Sequence, residues 1–82
     1  MDYELAFKPR AVKDLKSLPT VESRRIVAKL EAMQHDLAGD VKRLTNFTPE
    51  YRLRVGNYRV LFEVEAGQIV VYRVRHRKEA YN

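Results

Sequence analysis

Apolar and polar residues alternate from Tyr51 to Phe62, YRLRVGNYRVLF, on both sides of Gly56-Asn57. A Gly-Asn pair suits a tight hairpin turn because both residues tolerate positive φ. In the first strand Tyr51, Leu53 and Val55 share one face, and Arg52 and Arg54 share the other. Pairing Val55 with Tyr58 across the turn sets Arg54 opposite Arg59 and Leu53 opposite Val60. Three guanidiniums then gather on one side of the sheet, with an apolar stripe on the reverse. Like charges directly opposite each other destabilise a hairpin. A chain that keeps them has either solvated them cheaply or arranged them for an anion.

The same pattern orders the rest of the chain. Tyr3, Leu5 and Phe7 alternate as in a short strand. Pro9 suits a first helical turn, and Ala11, Val12, Leu15 and Leu18 mark an amphipathic helix that Pro19 ends. Lys13, Asp14, Lys16 and Ser17 form its outer face. Thr20 is the expected N-cap of a second helix, with Glu22 in its first turn and Ile26, Val27, Leu30, Met33 and Leu37 as its inner stripe. Arg24, Arg25 and Lys29 fall on its solvated side. The stretch 38–49, with the basic pair Lys42-Arg43 and with Pro49, reads as a loop anchored by Val41 and Leu44.

The turn near Gly67 sets the face of the last strand. A two-residue loop, Ala66-Gly67, would turn Arg73 and Arg75 toward the apolar side. A three-residue loop, Glu65-Ala66-Gly67, puts Gly at the left-handed position beside a bulge and sets Phe62 opposite Val70 and Val60 opposite Tyr72. Val70, Tyr72, Val74 and His76 then join the buried stripe, and Arg73, Arg75 and Arg77 join Arg52, Arg54 and Arg59. Burying unpaired arginine is costly, so the second register is expected.

Helices and strands kept apart in sequence indicate an α+β fold in two layers: strand, helix, helix, then an antiparallel three-stranded meander. The helical hairpin covers one face of the sheet and leaves an arginine-rich face open. Eighty-two residues suit a single domain. Sixteen Lys and Arg against eleven Asp and Glu, a net charge of +5, suit a polyanionic partner. No cysteine is present, which is compatible with a reducing cytoplasm. Neither a signal peptide nor a membrane-length apolar run is visible, so a cytoplasmic protein without membrane contact is expected.

The residues exclude several chemistries. His35 and His76 stand far apart without a carboxylate pattern, so neither a metal nor a cofactor is expected. Glu63 and Glu65 read as counter-charges for neighbouring arginines. What remains is the basic face and the tail Arg75-His76-Arg77-Lys78-Glu79-Ala80-Tyr81-Asn82. Arginine binds phosphate bidentately and stays charged, and tyrosine stacks on bases or loses its proton more readily among cations. These parts suffice for RNA cleavage by the neighbouring 2′-hydroxyl, which needs a base, cations on the phosphorane and help for the leaving oxygen. They suffice equally for a nucleic-acid-binding module without activity.

The segments KDLKSLP, YRLRVGNYRVLFEV and VRHRKEAY, across nearly the whole chain, resemble the RelE branch of the RelE/ParE toxin superfamily. The resemblance implies a single RelE-like toxin domain over residues 1–82, the toxin of a type II toxin–antitoxin pair. It implies a ribosome-dependent mRNA interferase, an endoribonuclease cleaving mRNA in the ribosomal A site. The implied partners are a RelB-like antitoxin, the ribosome with its mRNA and rRNA, and operator DNA reached through the antitoxin. Carried over by position, the catalytic set is Arg54, Arg59, Arg77 and Tyr81, with His76 as the alternative base. Arg52, Arg73, Arg75, Lys78, Lys42 and Arg43 would bind RNA. In the family's best-studied branch the pair matching Arg52 and Arg54 is lysine, one member of which has been proposed as the general base. Arginine cannot give up its proton at working pH, so Tyr81 or His76 must take that role here, or the reaction relies on charge stabilisation alone. The ParE-like branch, which shares the fold and inhibits DNA gyrase, is the competing implication.

Overall fold

The computed structural model of the protein describes residues 2–37 and 39–79. Leu5 and Phe7 pack on the core from a short strand, β1 (Glu4–Phe7). Lys8 stays extended and Pro9 takes the first helical position, so α1 (Pro9–Ser17) starts where a missing N–H is not needed. Leu18 is extended, as the residue before a proline tends to be. The second helix, α2 (Thr20–Met33), differs from expectation at both ends. Pro19, not Thr20, is its N-cap, and no side chain caps it. Pro19 is already extended at ψ 142°, and its carbonyl accepts from the N–H groups of Glu22 and Ser23. At the other end the helix stops at Met33, and Leu37 adopts a left-handed φ of 57° with its N–H on the Met33 carbonyl at 3.0 Å. Leu37 still packs on the core, but from beyond the helix. The Ser23 hydroxyl donates to the Leu15 carbonyl at 2.6 Å and ties the two helices together.

The sheet has five strands in the order β1-β5-β4-β3-β2, where β2 is Val41–Arg43, β3 Tyr51–Val55, β4 Tyr58–Glu65 and β5 Gln68–His76. The expected meander is β3, β4 and β5, and two flanking strands extend it. β1 runs parallel to β5. β2, inside the stretch expected to be loop, pairs antiparallel with β3, Val41 opposite Leu53 and Lys42 opposite Arg52. Three residues are too few to display a period of two, so this strand exists because its partner offers an edge.

The β3–β4 register is the one the alternation demands, with Val55 opposite Tyr58 and Arg54 opposite Arg59. The β4–β5 register is not the expected one. Glu65 faces Gln68, so the loop is the two-residue Ala66-Gly67, with φ of 47° and 78°. These are the φ signs of the tight turn that follows strand twist best. Phe62 consequently faces Val71 rather than Val70. The ladder then slips: Leu61 faces Arg73, Val60 faces Val74 and Arg59 faces Arg75, leaving Tyr72 as an extra residue on β5. This bulge does inside the strand what the longer loop was expected to do at its end. Ile69 and Val71, instead of Val70 and Tyr72, enter the core, and Val74 still joins them.

Ile26, Leu30 and Met33 of α2 meet Leu53, Val60, Phe62, Ile69 and Val71 of the sheet, all of them buried. Phe62 is the largest of these, and Tyr51 stacks on it with ring centroids 5.4 Å apart. Burial of each such side chain stabilises the fold by about 1.5–3 kcal/mol. Truncating Phe62 to alanine also leaves a cavity, so Phe62→Ala should cost about 3–5 kcal/mol, read as a lower midpoint in urea unfolding. A loss below about 1 kcal/mol would show that this ring is not central to the packing.

Candidate functional site

The strand registers carry the arginines into two rows on the face away from the helices. One row runs Arg54, Arg59, Arg75 across β3, β4 and β5. The next runs Lys42, Arg52, Leu61, Arg73 across β2 to β5. Directly paired strand residues lie about 4.5–5.5 Å apart at Cα, so the cations of a row repel one another. Leu61, only 3% exposed, lies among them and fills space beneath the arginine stems.

Carboxylates relieve the repulsion at the margins. Asp40 bonds the Nε of Arg54 and lies 3.4 Å from Nη1 of Arg52. Asp14 of α1 accepts from Arg73 Nε at 2.8 Å and Nη2 at 3.2 Å, and also from the Val74 backbone N–H at 2.9 Å. Arg75 has Glu79 at 3.5 Å. Arg59, in the centre, donates only to the carbonyls of Gly56 and Tyr58, each at 3.0 Å. Among the described residues no carboxylate pairs with it. Among the described residues the central cation of the face is therefore left without a counter-charge.

Asp14 shows how firmly one margin is held. Burial raises its pKa, but the hydrogen bonds from Arg73 and Val74 and the charges of Arg73 and Arg75 outweigh that. The net effect holds the carboxyl below its ordinary 3.8. The same hydrogen bond pushes Arg73 above its usual range, against the effect of burial. β1 covers the outer edge of β5 only as far as Val71, so Asp14 also satisfies an edge N–H that no strand reaches.

The other site residues named from the sequence are scattered. Arg43 faces Tyr51 on the opposite side of the sheet and pairs with Glu50 at 3.2 Å. His76 faces Tyr58 on that side too, in an edge-to-face contact at 5.7 Å, and its Nδ1 accepts from the Lys78 N–H at 3.3 Å. Arg77 and Lys78 are exposed in the turn after β5, which the Arg77 N–H ties to the Asn57 carbonyl at 2.7 Å. Tyr81 lies outside the described residues. Glu63 does not serve an arginine as expected, because its carboxylate accepts from the Glu50 backbone N–H at 3.1 Å.

Two functional partners escaped the sequence reading, Asp14 and Asp40. By periodicity Asp14 falls on the outer face of the first helix, and Asp40 falls in the stretch expected to be loop. No pattern in the sequence marks either, since both act across long separations in the chain.

The fold has known counterparts. The family described as the ParE toxin of the type II toxin–antitoxin system, parDE, matches residues 5–81. The protein Toxin RelE3 of Methanocaldococcus jannaschii is 38% identical over 84 residues, covering 96% of each chain. A solved RelB–RelE antitoxin–toxin complex from Methanococcus jannaschii contains a chain with 35% identity and a TM-score of 0.76, covering 94% of this chain and 95% of that one. The RelE–RelB complex of Pyrococcus horikoshii aligns at 26% identity and a TM-score of 0.78, over 98% and 100% of the two chains.

If the Asp14 cluster holds as described, its stabilisation is complete above the unfolded carboxyl value, near pH 4, and is lost as pH falls through the lower folded value. Asp14→Asn keeps an acceptor for the Val74 N–H but discards the titration. Thermal melts between pH 5 and 2 should therefore fall less steeply for Asp14→Asn than for the parent. Asp14→Ala, which strands both Arg73 and the N–H, should cost about 1–3 kcal/mol at neutral pH. Parallel acid limbs for the parent and Asp14→Asn would refute the assignment.

Proposed function

This chain belongs to the ParE toxin family of type II toxin–antitoxin systems and is a toxin of the RelE kind, and from that premise we propose that it is a ribosome-dependent endoribonuclease. In this reading it cleaves mRNA in the ribosomal A site by attack of a ribose 2′-hydroxyl on the adjacent phosphate. The observation that carries the reading is the unneutralised Arg59 at the centre of a row with Arg54 and Arg75. A pentacovalent phosphorane gains negative charge as it forms, and cations fixed in advance stabilise it without reorganising. DNA, lacking the 2′-hydroxyl, offers no such nucleophile.

The general base is the tyrosine, Tyr81. Arginine stays protonated. His76 lies across the sheet from the arginine rows, and its Nδ1 lone pair already accepts the Lys78 N–H. Arg77 and Lys78, exposed beyond β5, steer the RNA, and Arg52 and Arg73 hold flanking phosphates. The ribosome aligns the substrate, since so few groups of the toxin bear on chemistry.

Two partners follow from this reading. A RelB-like antitoxin silences the toxin in the cytoplasm, wrapping the helices, where Val12 and Val21 are exposed. The two form a hetero-oligomer that meets operator DNA through the antitoxin. Gyrase inhibition is the second reading, favoured by the ParE description of the matching family.

Single-turnover cleavage on programmed ribosomes tests the chemistry. Tyr81→Phe should slow cleavage about 10²–10⁴-fold while leaving ribosome binding nearly intact. Arg59→Ala should weaken both, because it touches ground and transition states alike. A Tyr81→Phe protein that cuts at the parental rate would remove tyrosine from the mechanism. Loss of supercoiling by gyrase, with mRNA ends unchanged on induction, would transfer the protein to the second reading. Co-expression with a neighbouring antitoxin gene should restore growth and yield a co-purifying complex, and failure of both would count against the partner.

A further inference from the structure

The row Lys42, Arg52, Leu61, Arg73 does not end at the sheet margin. Beyond Lys42 and Arg52 it opens into a cleft of about 350 Å³, lined also by Leu44, Thr45 and Phe47. This volume is at the lower end of the range for small-ligand sites. Its far wall is the segment between β2 and β3. That segment is pinned at its base by the Leu44 N–H on the Glu50 carbonyl at 2.6 Å and by the Glu50 N–H on Glu63 at 3.1 Å. The cleft is thus braced by these two hydrogen bonds and does not depend on a ligand to form it.

Arg52 marks the cleft as wanting an acceptor. Its side chain is only 12% exposed, and its bonds to Asp40 are long, 3.4 Å to the carboxylate and 3.5 Å to the carbonyl. Its Nε is buried with no hydrogen-bond partner among the described residues. Buried N–H donors are seldom left in this state without a reason. A small turn of the guanidinium toward the cleft, at the expense of the weak Asp40 contact, would offer its donors to an anion there.

We propose that this cleft binds one nucleotide of single-stranded RNA, next along the strand from the phosphate held by Arg54, Arg59 and Arg75. The base packs on Phe47 and Leu44, Thr45 offers its hydroxyl to the base edge, and Lys42 and Arg52 take the phosphate. A basic track leading to an aromatic side chain is the usual construction for single strands, because every base has a face to stack. The proposal rests on the RNA-cleaving reading for its ligand class, but it concerns residues outside the proposed reaction centre.

The test uses a 2′-O-methylated RNA trinucleotide, which cannot be cleaved by 2′-hydroxyl attack, titrated into the labelled toxin and followed by NMR. Amide signals of Lys42, Leu44, Thr45 and Phe47 and the methyl signals of Leu44 and Thr45 should shift together with the amide signals of Arg54 and Arg59. Phe47→Ala should weaken binding about tenfold, within the range base stacking commands. Lys42 is exposed on the edge strand β2, so Lys42→Glu removes no core contact, and it should weaken binding comparably. On programmed ribosomes both variants should raise the toxin concentration for half-maximal rate and leave the saturated single-turnover rate unchanged. Shifts confined to Arg54, Arg59 and Arg75, with both variants binding as the parent does, would overturn the cleft and spare the reading of the reaction. A parent protein that shows the cleft shifts but never cuts mRNA would uphold the cleft and overturn that reading instead.

Discussion

An unpaired guanidinium buried in an apolar core is among the costliest errors this sheet could make, and strand β5 is arranged to avoid it. Its first half must place Ile69 and Val71 under the helices, and its second half must place Val74 there while keeping Arg73 and Arg75 out. The odd spacing from Val71 to Val74 cannot satisfy a strict period of two. The extra residue, Tyr72, absorbs the mismatch, with the Lys8 ammonium 5.2 Å from its ring centroid. The β5 share of the arginine face depends on that slip, since without it Arg73 and Arg75 would lie opposite the wrong neighbours and on the wrong side.

Assembling a basic face also requires that its repulsion be managed without cancelling its charge. The chain does this by position. Asp14 and Asp40 engage the outer arginines, and among the described residues the central Arg59 meets only carbonyl oxygens. Partial neutralisation at the rim keeps the fold stable. The undischarged centre is what an anionic ligand would find. A substrate that gains negative charge at one atom during reaction is served better by such a gradient than by uniform positive charge.

The two helices are more than a lid for the apolar side. α1 reaches the exposed edge of β5 and closes it with a carboxylate, fixing Arg73 and the strand backbone together. α2 supplies the apolar stripe against which Leu53, Val60 and Phe62 pack, and those residues hold the strands that carry Arg52, Arg54 and Arg59 on their reverse face. Rigidity behind the sheet thus sets the spacing of charges in front of it. β2 and the segment after it extend the same face by Lys42 and a cleft, on elements whose pairing is with β3 and β4 rather than with the helices.

The alternation of Tyr51 to Phe62 by itself determined the central hairpin, its register and the side on which Arg52, Arg54 and Arg59 stand, because a period of two in a strand with one buried face admits one solution. Heptad-like spacing likewise placed both helices, and Pro9 and Pro19 marked their boundaries. The β4–β5 register was not legible, since a two-residue turn with an internal bulge and a three-residue turn leave nearly the same pattern of apolar residues. Only the packing of Ile69 and Val71 against the core distinguishes them. β2 was hidden by its shortness, and the end of α2 by Leu37, whose apolar side chain continues the stripe while its backbone has already left the helix. Asp14 and Asp40 had no sequence signal at all, because a carboxylate's partner is set by what the folded chain brings within about 3 Å of it. Local periodicity therefore decides elements and faces, whereas long-range contacts decide which charges are answered and which are left for a ligand.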